Sequence, residues 1–130
     1  MGGHDRSVLL VEDDESLRRV LARHLSAHGY DVAEAASAEA AERLLAEGAR
    51  PGVVVLDIGL PGATGWDLMR GPALRMGDSP PVLIASALTV SPRLLSEFGV
   101  AGYLPKPFGL DTLMGTIQRV LHPEAAPQSR

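Results

Sequence analysis

The run Val53-Val54-Val55-Leu56 enters Asp57 with no polar residue between. Four apolar residues in a row, three of them β-branched, suit a central strand covered on both faces of a parallel sheet. Two other stretches have the same form. Val8-Leu9-Leu10-Val11 leads into Glu12-Asp13-Asp14, and Tyr103-Leu104-Pro105 leads into Lys106-Pro107. In a parallel α/β sheet all such strand ends lie along one edge, and ligands bind in the crevice beyond it. The three stretches therefore place several carboxylates and one ammonium in one small site. That set can hold a hard divalent cation and accept a phosphoryl group on Asp57.

The chain on either side of these strands supplies the rest of an alternating pattern. Residues 16–28 read as a helix opened by the acidic stretch 12–15, which suits its dipole, and closed by Gly29. Asp31-Val32-Ala33-Glu34-Ala35 alternates as an outer strand. Ser37 is placed to cap a helix through residue 47, with Leu44 and Leu45 on its inner face. Gly59, Pro61, Gly62 and Gly65 make a loop, and a helix carrying Trp66, Leu68 and Met69 follows until Gly71-Pro72 ends it early. Residues 81–85 form the fourth strand, closed by Ser86; Ser91-Pro92 caps and starts a short helix to Phe98. Residues 101–104 form the fifth strand and 110–121 the last helix. Five β/α alternations predict a doubly wound, five-stranded parallel sheet with helices on both faces. Pro105 cannot donate to a ladder, so the fifth strand belongs at an edge. The order 2-1-3-4-5 satisfies this and sets strands 1 and 3, with Asp13 and Asp57, side by side at the switch point.

At 130 residues, with 45% hydrophobic residues, the chain is the size of one domain with a core of its own. Its net charge of −4 and the lack of a basic stripe argue against direct nucleic-acid binding. With no cysteine there is no disulfide, thiolate catalysis or zinc-thiolate site. No apolar run approaches a membrane span, and the polar start is no signal peptide, so a cytoplasmic protein without membrane insertion is expected.

Each candidate residue also fits a plainer role. Glu12-Asp13 serves equally as a solvated helix start, the role given to Asp14 and Glu15. Beside Asp57, however, these carboxylates crowd and repel, and Mg²⁺, which takes oxygen ligands and keeps several waters, removes that cost. A carboxylate such as Asp57 is a competent phosphoryl acceptor; alone it could merely end a strand. Lys106 can reach toward Asp57 from between two prolines, with Lys106–Pro107 a candidate cis bond; alone it is a turn lysine. Ser86 ends strand 4 with a hydroxyl that could donate to a phosphoryl oxygen, as many strand-end serines could. His24 and His28 share the first helix with Leu17, Val20, Leu21 and Leu25 on or near its apolar arc, and read as a partly buried pair rather than a metal site. Trp66 reads as helix packing.

Together these pieces resemble the receiver domain of two-component response regulators. The likeness rests on Val11-Glu12-Asp13-Asp14, on Leu56-Asp57-Ile58-Gly59-Leu60-Pro61-Gly62 with Gly65, on Ala85-Ser86-Ala87, and on Gly102-Tyr103-Leu104-Pro105-Lys106-Pro107-Phe108, in that order. It implies a flavodoxin-like receiver domain over residues 7–121, a disordered tail at 1–6, and a tail or linker stub at 122–130. It implies that Asp57 is the phosphoacceptor. Glu12 and Asp13 would be the acidic pair, with Asp13, Asp57 and the backbone carbonyl of Gly59 on Mg²⁺. Lys106 would contact the phosphoryl group, Ser86 would hold one of its oxygens, and Tyr103 would turn inward when Ser86 moves. The donor would be a phosphohistidine on a sensor histidine kinase or histidine phosphotransfer protein, and hydrolysis would reset the switch. A homodimer is compatible with this reading.

The chain departs from the family pattern at Thr64, where an acidic residue is common, at Gly71-Pro72, and in a shortened stretch over residues 86–103. These departures leave the chemistry intact and touch the output side, with Gly59 and Leu88 placed to modify the phosphoryl lifetime. A receiver fold working without phosphorylation, as an interaction module, is the competing reading. A flavin module of the same sheet order is disfavoured, because the acidic loop after strand 1 would repel a cofactor phosphate.

Overall fold

Strand β3 (Val53–Leu56) lies at the centre of the sheet, and none of its residues is more than 2% exposed. The computed structural model describes residues 6–60, 62–74 and 79–122. Pro61 of the loop after Asp57, residues 1–5 and 123–130 of the two expected tails, and residues 75–78 lie outside the described residues.

The other elements are β1 (Ser7–Val11), α1 (Glu15–Ala27), β2 (Asp31–Ala35), α2 (Ala38–Ala46), α3 (Gly65–Arg70), a 3-10 turn (Pro72–Leu74), β4 (Val82–Ser86), α4 (Pro92–Phe98), β5 (Gly102–Pro105) and α5 (Leu110–Leu121). All strand pairs are parallel and the order is β2-β1-β3-β4-β5. Strand alternation, with both faces of the sheet covered, explains why residues 8–11 of β1 and all of β3 are apolar. Val8, Leu10, Val53 and Val55 pack with Leu21 and Leu25 of α1 and Leu113 and Ile117 of α5. Leu9, Val11, Val54 and Leu56 point the other way, to Ala38 and Ala41 of α2 and Leu68 and Met69 of α3. Burying each such Val or Leu contributes about 1.5–3 kcal/mol, so the two central strands anchor both layers.

The helix ends follow local chemistry. Ser37 Oγ accepts from Ala40 N–H and Ser91 Oγ from Leu94 N–H, with Pro92 in the first turn of α4. Gly99 closes α4 in the left-handed conformation (φ 64°), which glycine adopts without a Cβ clash. Thr64 and Asp67 form a capping box at the start of α3: Thr64 Oγ1 accepts from Asp67 N–H, and Asp67 Oδ2 from Thr64 N–H. That hydrogen bonding holds Asp67 below the ordinary carboxylate pKa. The non-acidic residue before Gly65 is thus a helix cap.

One expectation about helix faces needs correction. Val20 is 54% exposed. It lies about 140° around α1 from Leu25, at the helical 100° per residue, outside the stripe formed by Leu21, Ala22 and Leu25. In α2 the fully buried residues are Ala38 and Ala41, and Leu44 and Leu45, half-buried, pack against the same core as the sequence indicates.

Candidate functional site

Each residue of the site is fixed by a strand's backbone ladder. Asp57 N–H donates to Val11 O (3.1 Å), Glu12 N–H to Ala35 O (3.0 Å) and Lys106 N–H to Ser86 O (2.9 Å). The ends of β2, β1 and β3 are thereby tied together, as are those of β4 and β5, and the β3–β4 pairing joins the two sets into one rim. Lys106–Pro107 is a cis peptide bond.

Above that rim, carboxylate oxygens of Glu12, Asp13 and Asp57 lie within 4.8 Å of one another. Lys106 Nζ donates to Glu12 Oε1 (2.5 Å) and to Asp57 Oδ2 (3.3 Å). Gly59 N–H donates to Asp57 Oδ1 (3.0 Å), and Asp14 N–H to Glu12 Oε2 (3.1 Å). Asp13 is exposed, and its carboxylate has no protein partner among the described residues. The donor set is all oxygen, three carboxylates at close quarters with one of them free, which fits Mg²⁺ in its preference for few direct carboxylates and retained waters.

Burial raises the Glu12 carboxyl above its ordinary 4.5, although the Lys106 bond, the Asp14 N–H and the Lys106 charge pull it down; the Asp57 charge adds to the rise. Burial lowers Lys106, but the Glu12 hydrogen bond and the charges of Glu12 and Asp57 outweigh this and leave it above 10.5. A carboxyl raised in the folded state favours folding below its unfolded pKa, and that contribution is lost as pH rises through the folded value. Glu12→Gln removes this titration. The stability difference between wild type and Glu12→Gln, measured by urea unfolding without metal, should therefore move in favour of the wild type as pH falls from 7 toward 4.5.

Ser86 is 1% exposed, and its Oγ accepts from Leu88 N–H (3.0 Å), which leaves its own proton to donate. Tyr103 is half-buried and its hydroxyl donates to Leu88 O (3.1 Å), so it is linked to the loop after β4 and not to the carboxylates. The Leu88 side chain is 55% exposed and lies over Gly59, where a Cβ would stand 3.6 Å from Leu88 Cδ1. Beneath the site Gly65 is required by space: a Cβ there would come within 2.8 Å of Asp57 O and 2.9 Å of Ile58 Cα. Of the candidate residues, Glu12, Asp13, Asp57 and Lys106 converge directly, Gly59 joins through its N–H, and Ser86 joins through its backbone bond to Lys106.

One contributor carries no signal in the sequence: Arg18 donates to Glu12 O (3.0 Å) and to Glu34 Oε1 (3.0 Å), tying the acidic loop to β2. Asp14 takes the helix-start role the sequence assigns it, capping α1 by accepting from Leu17 N–H (3.1 Å). Elsewhere, the His24 and His28 rings lie 4.6 Å apart with His28 Nδ1 2.9 Å from His24 O, and Trp66 stacks on Phe98 at 4.8 Å.

A parallel sheet in this order, with acid at the ends of β1 and β3 and a lysine after β5, is the architecture of a signalling receiver. The response regulator receiver domain family matches residues 8–118, and the chain belongs to that family. It is 38% identical over 128 residues to the response regulator MprA of Mycobacterium sp. (strain KMS), covering 94% of this chain and 54% of that protein. The chain thus spans about half the length of the curated relatives it matches. The non-phosphorylated HemR receiver domain of Leptospira biflexa is 32% identical with a TM-score of 0.77, over 95% of this chain and 98% of that one. A CheY-like receiver domain protein of Methanospirillum hungatei JF-1 shares the fold, with a TM-score of 0.83 at 21% identity over 92% and 95% of the two chains. Receiver domains of response regulators are regulated phosphoacceptors. Among the described residues, no helix is long and apolar enough to cross a membrane.

Proposed function

We propose that this chain is a phosphorylation switch in which Asp57 accepts a phosphoryl group from a phosphohistidine on a sensor histidine kinase or histidine phosphotransfer protein. The observation that carries the reading is the convergence of Glu12, Asp13 and Asp57 oxygens within 4.8 Å, with the Lys106 ammonium bonded to two of the three carboxylates. Family membership supports it.

An Asp57 carboxylate oxygen attacks phosphorus; the bond from phosphorus to the donor nitrogen breaks, and its electron pair returns to the imidazole. Gly59 N–H holds Asp57 Oδ1, which orients the carboxylate for that attack. Glu12, Asp13, Asp57 and the Gly59 carbonyl would hold Mg²⁺, which when bound supplies the positive charge that draws two anions together. Lys106 offers a second cation at the same place and can pass from Glu12 and Asp57 to a phosphoryl oxygen. Ser86 keeps its hydroxyl proton for another phosphoryl oxygen. A shift of Ser86 toward that oxygen would carry Leu88 with it, and Leu88 O is the acceptor that holds Tyr103 in its present place. Hydrolysis of the aspartyl phosphate then returns the domain to its resting state.

Incubating the protein with acetyl phosphate and Mg²⁺ and recording its intact mass tests this reading. One phosphoryl adduct is expected, mapping to Asp57, and no adduct should form when EDTA replaces Mg²⁺ in the incubation. A folded protein that gains no adduct would refute the reading and leave a phosphorylation-independent interaction module.

A further inference from the structure

Arg18 lies on α1 with its side chain directed back over the first turn, the direction helical side chains take. Its Nη1 donates to the backbone carbonyl of Glu12 (3.0 Å) and its Nε to Glu34 Oε1 (3.0 Å). The side chain is only 13% exposed, while that of Glu34 is 40% exposed. The Glu12 N–H is already committed to Ala35 O on β2. Both backbone groups of Glu12 are therefore tied to the end of β2, one directly and one through the Arg18–Glu34 pair. Asp13 follows at once, exposed, its carboxylate held by no protein group among the described residues. The path of the preceding peptide is thus what sets where Asp13 points.

We infer that Arg18 is a positioning residue for cation binding: its guanidinium clamps the Glu12 carbonyl against Glu34 of β2 and so holds Asp13 toward Asp57. The inference rests on the cation-site reading given above. The clamp uses the geometry of guanidinium. Two N–H groups in a planar fork reach a carbonyl and a carboxylate at once, whereas a lysine ammonium is a single point on a flexible stem. Groups that orient metal ligands from outside the coordination sphere commonly contribute 10–100-fold in affinity.

Mn²⁺ serves as the probe, since it favours the same oxygen ligands and its unbound fraction is counted by electron paramagnetic resonance. Wild type, Arg18→Ala, Arg18→Lys, Glu34→Ala and Glu34→Gln are titrated at a temperature where each is folded by circular dichroism. Arg18→Ala and Arg18→Lys should each bind Mn²⁺ about tenfold more weakly than wild type. Glu34→Ala should weaken binding severalfold, and Glu34→Gln, which keeps an acceptor for Arg18 Nε, should restore affinity to within about twofold. A purely structural role would lower melting temperatures and leave the affinity of the folded fraction alone. Equal affinity in wild type, Arg18→Ala and Glu34→Ala overturns the inference and leaves the cation site standing. A wild type that binds no Mn²⁺ overturns both. Should Arg18→Ala fail to fold, Glu34→Ala, altered at a more exposed side chain, decides the question.

Discussion

Asp57→Asn should lose phosphoryl transfer from acetyl phosphate by at least about 100-fold, roughly 2.7 kcal/mol of barrier, while keeping its fold. An amide has no anionic oxygen to attack phosphorus, and the cluster has no second acceptor in an equivalent place. The fold survives because Asn fills the same volume, its oxygen can still accept from Gly59 N–H, and Lys106 retains Glu12. Three crowded carboxylates become two, so the melting temperature without metal should stay level or rise. Intact-mass kinetics with a parallel thermal melt check both parts. Adduct formation at the wild-type rate would show that the phosphoryl group goes elsewhere.

Lys106→Met should act on chemistry and stability together. Removing a cation from a site where negative charge accumulates should slow phosphorylation by about 100-fold. Glu12, 3% exposed, is then left without its ion partner. Removing one side of a buried pair costs more than the pair itself contributes, here about 2 kcal/mol at pH 7 without metal. That loss should shrink on acidification, as Glu12 protonates, and on adding Mg²⁺. In the wild type the pKa of Lys106 is raised in the folded state, so its stabilisation is present throughout the neutral range and is lost only as pH climbs past 10.5 and through the folded value. Urea unfolding of both proteins at pH 5 and pH 7, with EDTA or with Mg²⁺, checks the pattern. A loss indifferent to pH and to metal would mean that Lys106 serves only in packing.

The frame of the domain was open to reading because its strands are short apolar runs ended by charge. Val53–Leu56 and Asp31–Ala35 fall where the pattern put them, and Ser91 with Pro92 marks the start of α4 to the residue. The converging acids were legible because the parallel order decides which strand ends meet. What escaped depends on contact across distance. Arg18 and Glu34 are sixteen residues apart and meet only through the register that pairs Leu10 with Glu34. Thr64 and Asp67 carry a local signal, a threonine followed three residues later by a carboxylate, which the departure of Thr64 from the family motif masks. Val20 is apolar enough to suggest the core, yet lies on the wrong side of its helix.

Helix α4 buries none of its residues fully. Toward α3 it is attached by the Phe98 ring, which stacks on Trp66 and lies under the Arg70 guanidinium at 5.4 Å. Such a stacked pair adds about 0.5–1.5 kcal/mol beyond its area, little to hold a helix. Trp66 is also the only tryptophan in the chain. The protein therefore carries its own optical gauge: the emission of one indole follows the seating of a helix that buries none of its residues fully, with no label attached.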